Sequence, residues 1–207
     1  MKNAFIRAMH YRHACKLFDG SKKIRESEMD AILEFGRLSP SSFGMEPWRF
    51  LVIREQDLKE SLKPLCWNQP QITTCSDLVI IKTIIAPLAP GSEYSRSMLS
   101  RRDLPKEKIE AYYKIYDDFA TERLAKEGIF CWSARQCYIA AANMMTGAAM
   151  MGIDSCPIEG FEKEKVEALL QIDPAHEELA LIVAFGYRAN EAPEKIRLPL
   201  ESIVEYR

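Results

Sequence analysis

Arg12 and Lys16 lie four residues apart in the stretch RHACKLFD (residues 12–19), beside His13 and close to the N-terminus. If the first helix runs that far, the two cations share a face, where like charges repel unless an anion sits between them. A second basic pair, Lys195 and Arg197, falls in EKIRLP near the other end of the chain. Arginine offers a planar fork of donors that suits phosphate, so two such clusters converging from opposite ends would make a phosphate site. Taken singly, each pair reads equally well as solvated surface charge.

Two further stretches could present hydrogen-bonding groups to a ligand. SPSSFGMEPWRF (39–50) sets Pro40, Ser41, Ser42 and Gly44 ahead of a strand, and CPIEGF (156–161) puts Glu159 and Gly160 where an extended segment meets a helix. Loop hydroxyls and the unpaired N–H groups at a helix start are free to bind something, although a self-capped turn explains both stretches too. His10 and His13 are spaced i, i+3 without a carboxylate or cysteine to complete a metal set, and none of the three histidines has an identifiable nucleophile. No G-x-G-x-x-G follows a strand and no G-x-x-x-x-G-K-[ST] occurs, so Rossmann and P-loop phosphate sites are not indicated. A chain lacking obvious catalytic side chains borrows its chemistry from a cofactor.

The elements that must position these residues read as follows. Helices are expected at 3–14, at 25–38 opened by Ser27, near 57–65 and at 162–171, with strands at 48–55, 77–86, 154–158 and 178–187. The region 87–103, with Pro87, Pro90 and Gly91, reads as loop, and a long amphipathic helix follows from Leu104 to Gly128; together, 87–130 form an excursion near the presumed site. The segment 131–151 reads as a buried central helix whose small residues let another backbone approach. Residues 188–207 have no helical period and read as an arm. Strands and helices in this irregular order predict an α+β class with a mixed sheet, in one domain spanning 1–207. The 207 residues carry a net charge of -2, which gives no field for nucleic acid or an anionic membrane, and the most apolar run (137–151) is too short to span a bilayer. Six cysteines without a C-x-x-C pair read as reduced, mostly buried thiols, and the absence of a signal peptide pattern makes the cytoplasm the expected location.

Six ordered blocks carry a resemblance along nearly the whole chain: RHACKLFD, SPSSFGMEPWRF, WN at 67–68, WSARQCYIAAANMM, MGIDSCPIEGF and KIRLP. With these, the sequence resembles the FMN-dependent nitroreductases, in particular the oxygen-insensitive NAD(P)H nitroreductase and dihydropteridine reductase group. The resemblance implies a nitroreductase-like fold, a mostly antiparallel sheet flanked by helices, in an intertwined homodimer whose C-terminal arm wraps the partner and which holds two FMN sites at the interface. It implies that Arg12, Lys195 and Arg197 bind the FMN phosphate, with His13 and Ala14 lining that end through their backbone. Lys16 and Asn68 would meet the pyrimidine edge of the ring, with Lys16 favouring negative charge on the reduced flavin. The N–H groups of Glu159 and Gly160 would face O4 and N5, with Pro157 and Ile158 against the ring. Pro40, Ser41 and Ser42 would reach the partner's FMN. Phe43, Trp67, Tyr116 and Phe119 would form the substrate pocket, although an ordinary packing role is as good a reading for each aromatic of 104–128. The implied activity is ping-pong hydride transfer from NADH or NADPH through FMN N5 to nitroaromatic, quinone or flavin acceptors.

The departures from the family pattern are Ala14 for a serine, Gly44 and Glu46 for asparagine and glutamine in the serine loop, and Gln71 near the place of a second lysine. Loss of that cation and gain of the Glu46 carboxylate predict a lower flavin midpoint potential. They also leave open a flavin-binding or sensing protein with slow turnover, or a relative with different flavin chemistry.

Overall fold

The computed structural model describes residues 2–207 and, of Lys2, the backbone alone. Four strands form one sheet in the order β1-β2-β4-β3, comprising β1 (Trp48–Ile53), β2 (Asp77–Ile84), β3 (Asp154–Ile158) and β4 (Glu177–Gly186). All three pairings are antiparallel, so the expected mixed sheet reduces to a single parallel bridge between Ala14 and Ser155. The central strands β2 and β4 are nearly continuous apolar runs because both faces of the sheet are covered.

On one face, Val79, Ile81, Leu181, Val183 and Phe185 pack against α8 (Ile129–Met150) and α2 (Glu26–Arg37). Most of the α8 contribution is small side chains, Ala134, Cys137, Ala140, Ala141 and Ala148, as the sequence predicts, with Met144 the large one among them. Gly147 sets the distance to α2, since a Cβ there would stand 2.1 Å from the ring of Phe35. On the other face, Leu78, Ile80, Ile182 and Ala184 are covered by Leu62 of α3 (Gln56–Leu62), Ile72 of α4 (Gln71–Thr74) and Val166 of α9 (Lys163–Leu169).

The first helix, α1 (Lys2–Tyr11), ends three residues short of the predicted boundary. From there the backbone bonds of residues 15–19 go to strands instead. The Cys15 N–H donates to Ser155 O at 3.1 Å, Asp19 N–H to Tyr187 O at 2.8 Å, and Leu17 O accepts from Ala189 N–H at 3.1 Å. Arg12 and Lys16 therefore do not share a helix face. The start of α2 also differs from expectation, because Glu28 and not Ser27 closes it, accepting the Arg25 N–H at 3.0 Å.

The region expected to be loop contains α5 (Glu93–Ser100), whose Ser92 hydroxyl accepts the Ser95 N–H at 3.0 Å. The long helix that follows is divided into α6 (Lys106–Phe119), a π-turn at Ala120–Leu124 and the short α7 (Ala125–Glu127). A third apolar cluster ties this excursion down, joining Leu88, Leu99, Tyr116 and Leu124 to Met45 and to Trp132 of α8. Residues 188–207 run without helix or strand apart from a 3-10 turn at Leu200–Ser202, with Ile196, Leu198, Leu200 and Ile203 exposed. No helix among the described residues is long and apolar enough to cross a membrane.

Candidate functional site

The two basic pairs meet through Arg12 and Lys195, while Lys16 lies on Cys156. The Lys195 ammonium donates to the backbone carbonyl of Arg12. Burial first, then the neighbouring charges of Arg12 and Arg197, hold the Lys195 pKa below the ordinary lysine value. Among the described residues none of these three cations has a carboxylate within salt-bridge distance, while the nearby Arg188 is paired with Asp154. Three like charges gathered without a counter-ion leave room for a polyvalent anion.

Ala14 lies beside β3 through its bridge to Ser155, and His13 is half-buried with Nδ1 3.6 Å from Asp154 Oδ1. Burial, and then the Arg188 charge, lowers the His13 pKa, so the ring is neutral at pH 7. Three residues on, the Lys16 ammonium donates to the Cys156 thiol at 3.5 Å. From there a chain of polar contacts runs under the 157–160 segment. Gln71 Nε2 lies 3.8 Å from Cys156 Sγ and 2.8 Å from Gln69 Oε1, and Gln69 Nε2 donates to Gly160 O at 2.8 Å. The other end of the Gln71 amide, Oε1, is buried with no partner. Sequence reasoning had no means of finding Gln69 or Cys156 in this chain, because their long-range contacts join residues 85 to 140 positions apart.

Pro157 is half-buried and Ile158 buried on β3, next to the exposed Glu159. The Tyr138 hydroxyl donates to Glu159 Oε1 at 2.6 Å, an interaction not foreseen. Gly160 is required by its neighbour, since a Cβ would stand 2.6 Å from the indole of Trp67. Trp67 and Asn68 both have left-handed backbone, φ 55° and 54°, and both are exposed.

The serine loop sits elsewhere. Ser41 Oγ accepts the Glu46 N–H, and Ser42 N–H donates to Gln136 Oε1 near the start of α8, each at 2.9 Å; Pro40 is exposed. Phe43, Gly44 and Glu46 have φ of 57°, 68° and 43°, a sharply turned segment clamped from α5 and just beyond it. The clamps are the Tyr94 hydroxyl on Met45 O at 2.7 Å, Arg102 on Phe43 O at 3.0 Å and Arg101 on the Glu46 carboxylate at 2.7 Å. The Glu46 charge is thus matched locally by Arg101, a pairing that needs the α5 helix the sequence did not reveal. Phe43 stacks edge-on against Tyr116 at 5.3 Å and near Phe119 at 5.1 Å. Tyr116 is fully buried and its hydroxyl donates to Leu88 O at 2.6 Å, so it acts as packing for this wall.

Within one chain the loop lies along α8 from Gln136 to Asn143, whose Nδ2 donates to Ser39 Oγ at 2.8 Å, and the cations lie past the C-terminal end of the helix. Ser42 contacts Gln136, whereas Tyr11, next to Arg12, donates to Gly152 O just past Met150. At 1.5 Å per residue, Gln136 and Met150 are about 20 Å apart along the helix axis.

The chain matches the profile of the Nitroreductase family over residues 9–187. A Staphylococcus haemolyticus protein named "Putative NAD(P)H nitroreductase" is 43% identical over 218 residues, covering 100% of this chain and 98% of that protein. Among solved structures, a Staphylococcus epidermidis "putative NAD(P)H:FMN oxidoreductase" superposes with a TM-score of 0.82 at 28% identity, covering 98% of this chain and 95% of the other. A nitroreductase-named protein of Exiguobacterium sibiricum, solved in complex with FMN, has a TM-score of 0.84 at 23% identity, covering 98% and 97%. The chain belongs to the nitroreductase family of oxidoreductase enzymes.

Proposed function

We propose that this protein is an FMN-dependent NAD(P)H oxidoreductase, working as a homodimer by a ping-pong mechanism on nitroaromatic, quinone or flavin acceptors. The observation that carries the reading is the convergence of Arg12, Lys195 and Arg197 with no carboxylate partner among the described residues. A phosphate monoester dianion fits that charge, and the unpaired, buried Gln71 Oε1 fits a ligand donor beside Lys16. Both requirements suit FMN, which the family and the names of its relatives also support.

When bound, FMN supplies a two-electron carrier that accepts a hydride from NAD(P)H and passes the reducing equivalents to the acceptor. The chain's own residues bind and orient. Arg12, Lys195 and Arg197, with the backbone at His13 and Ala14, take the phosphate. Lys16 and Asn68 would hold the polar edge of the ring, Lys16 as a fixed cation and Asn68 as a hydrogen-bond partner, while Pro157 and Ile158 would supply apolar surface and the Glu159 and Gly160 N–H groups would supply donors to it. Trp67, and Phe43 backed by Tyr116 and Phe119, offer apolar surface over which flat substrates stack, so that orientation supplies most of the rate.

The separation of the serine loop from the cations supports Pro40, Ser41 and Ser42 serving the partner's FMN. The dimer has further support in the free edge of β1, in a groove of about 450 Å³ beside it with Met29, Leu33, Leu51 and Leu58 on its apolar wall and Glu26, Asp30, Arg54 and Glu55 on its charged one, and in the apolar arm. An open strand edge is a ready template for another chain. An anaerobic spectrum tests the reading. Flavin bands that bleach with NADH or NADPH and return with a quinone or nitroaromatic establish both half-reactions, whereas a protein that cannot be loaded with FMN overturns it.

A further inference from the structure

Asp154, the first residue of β3, has a side chain only 2% exposed, yet it gathers an unusual number of partners. Arg188 reaches both oxygens, Nε donating to Oδ2 at 3.0 Å and Nη2 in ion-pair contact with Oδ1 at 2.5 Å, and the Arg188 N–H donates to Oδ2 at 2.9 Å. The Tyr11 hydroxyl shares its one proton between Gly152 O at 2.8 Å and Oδ2 at 3.3 Å, and the Arg188 guanidinium lies over the Tyr11 ring at 4.2 Å. His13 Nδ1 stands 3.6 Å from Oδ1 and is buried with no hydrogen-bond partner of its own.

The topology of these contacts is the informative part. Arg12 is flanked on one side by Tyr11 and on the other by His13, and both flanking side chains rest on the same carboxylate. The arm that carries Lys195 and Arg197 leaves the sheet at Arg188, which rests on it too. Lys195 then returns to the Arg12 carbonyl. The two limbs of the cation cluster, which come from opposite ends of the sequence, are thus pinned at one buried point. A buried ion pair adds little net stability over an apolar replacement of the same shape, so stability alone is a weak account of why the carboxylate is there. Bidentate geometry, in contrast, fixes direction.

We propose that Asp154 is a positioning residue for phosphate recognition, setting the spacing of Arg12 from Lys195 and Arg197 through Tyr11, His13 and Arg188. This rests on the reading of those three cations as the FMN phosphate site. It touches neither the phosphate nor the ring, and its effect is confined to the phosphate end of the ligand.

Riboflavin has the same ring as FMN and no phosphate, and so separates positioning from general structural support. Binding of FMN and of riboflavin to the flavin-stripped full chain is measured by fluorescence quenching for wild type, Asp154→Asn, Arg188→Lys and Tyr11→Phe. Asp154→Asn is expected to weaken FMN about tenfold or more while riboflavin affinity changes less than twofold, with Arg188→Lys and Tyr11→Phe shifting the ratio in the same sense by smaller factors. Equal losses for both ligands, or no loss for either, overturn the proposal. If Asp154→Asn does not fold, the other two variants decide, and an unchanged FMN to riboflavin ratio in both overturns it. A wild type that binds riboflavin as tightly as FMN instead removes the phosphate site itself, and the positioning role with it.

Discussion

The ammonium of Lys16 and the thiol of Cys156 are in contact at 3.5 Å, beneath the segment that carries Glu159 and Gly160. Burial raises the Cys156 pKa, and Lys16 only partly opposes that. The contact is therefore one between an ammonium and a neutral thiol, and the Lys16 charge remains uncancelled.

With Glu46 matched by Arg101, the departure left to test on the proposed flavin edge is Gln71, near the place where the family resemblance implies a second lysine. Gln71→Lys is expected to raise the two-electron midpoint potential of the bound flavin by on the order of 30 mV, equivalent to tenfold preference for the reduced form. Anaerobic potentiometric titration of both proteins reads this directly. An unchanged or lower potential in the variant contradicts the assignment of Gln71 to the flavin edge.

Removing Arg12 or Lys195 should cost FMN binding and little else. A hydrogen bond to a charged group contributes about 1.5–3 kcal/mol, so Arg12→Ala is expected to weaken FMN by about tenfold to a hundredfold, with the melting temperature of the flavin-free chain nearly unchanged. Isothermal titration with FMN and a parallel thermal melt supply the two numbers.

The lowered His13 pKa has a definite sign for stability. Above the ordinary histidine value of about 6.5, folded and unfolded chains are both neutral at this position, and its contribution is complete. As pH falls below that value the unfolded chain takes up a proton that the folded one resists, and stability is lost until the folded pKa is passed. His13→Gln should therefore show a smaller drop in melting temperature between pH 7.5 and 5.5 than wild type. Parallel curves for the two proteins rule this out.

Gly147 tests the packing of the central layer. An alanine there would bring its Cβ to 2.1 Å from Phe35, and such overpacking costs about 1–3 kcal/mol. Urea unfolding of Gly147→Ala should show a lower midpoint, and Gly147→Ala combined with Phe35→Leu should recover part of it.

What could be read in advance divides by the range of the interaction. The elements β2, β4 and α8 are legible because apolar runs of the right length need no partner to be recognised. The helix α5 is hidden by Pro87, Pro90 and Gly91, which precede it, and by serines at Ser95, Ser97 and Ser100 that tertiary packing turns to account. The end of α1 is set by Ser155 and by the exit of β4 at Tyr187, so the local pattern gives way to pairing with distant strands. Within the site, the cation residues are visible as motif positions. The Asp154 and Arg188 pair and the Glu46 and Arg101 pair exist only once the sheet and the excursion are assembled.

The distance between the serine loop and the cation cluster along α8 has a genetic consequence. If each FMN draws its phosphate ligands from one subunit and its serine loop from the other, two different damaged alleles can repair each other. A subunit carrying Arg12→Ala, paired with one disrupted at Ser41 and Ser42, places both lesions in one pocket and leaves the second pocket wholly intact. Mixed dimers would then recover up to half of the wild-type flavin content and activity, although neither parent homodimer has a sound site.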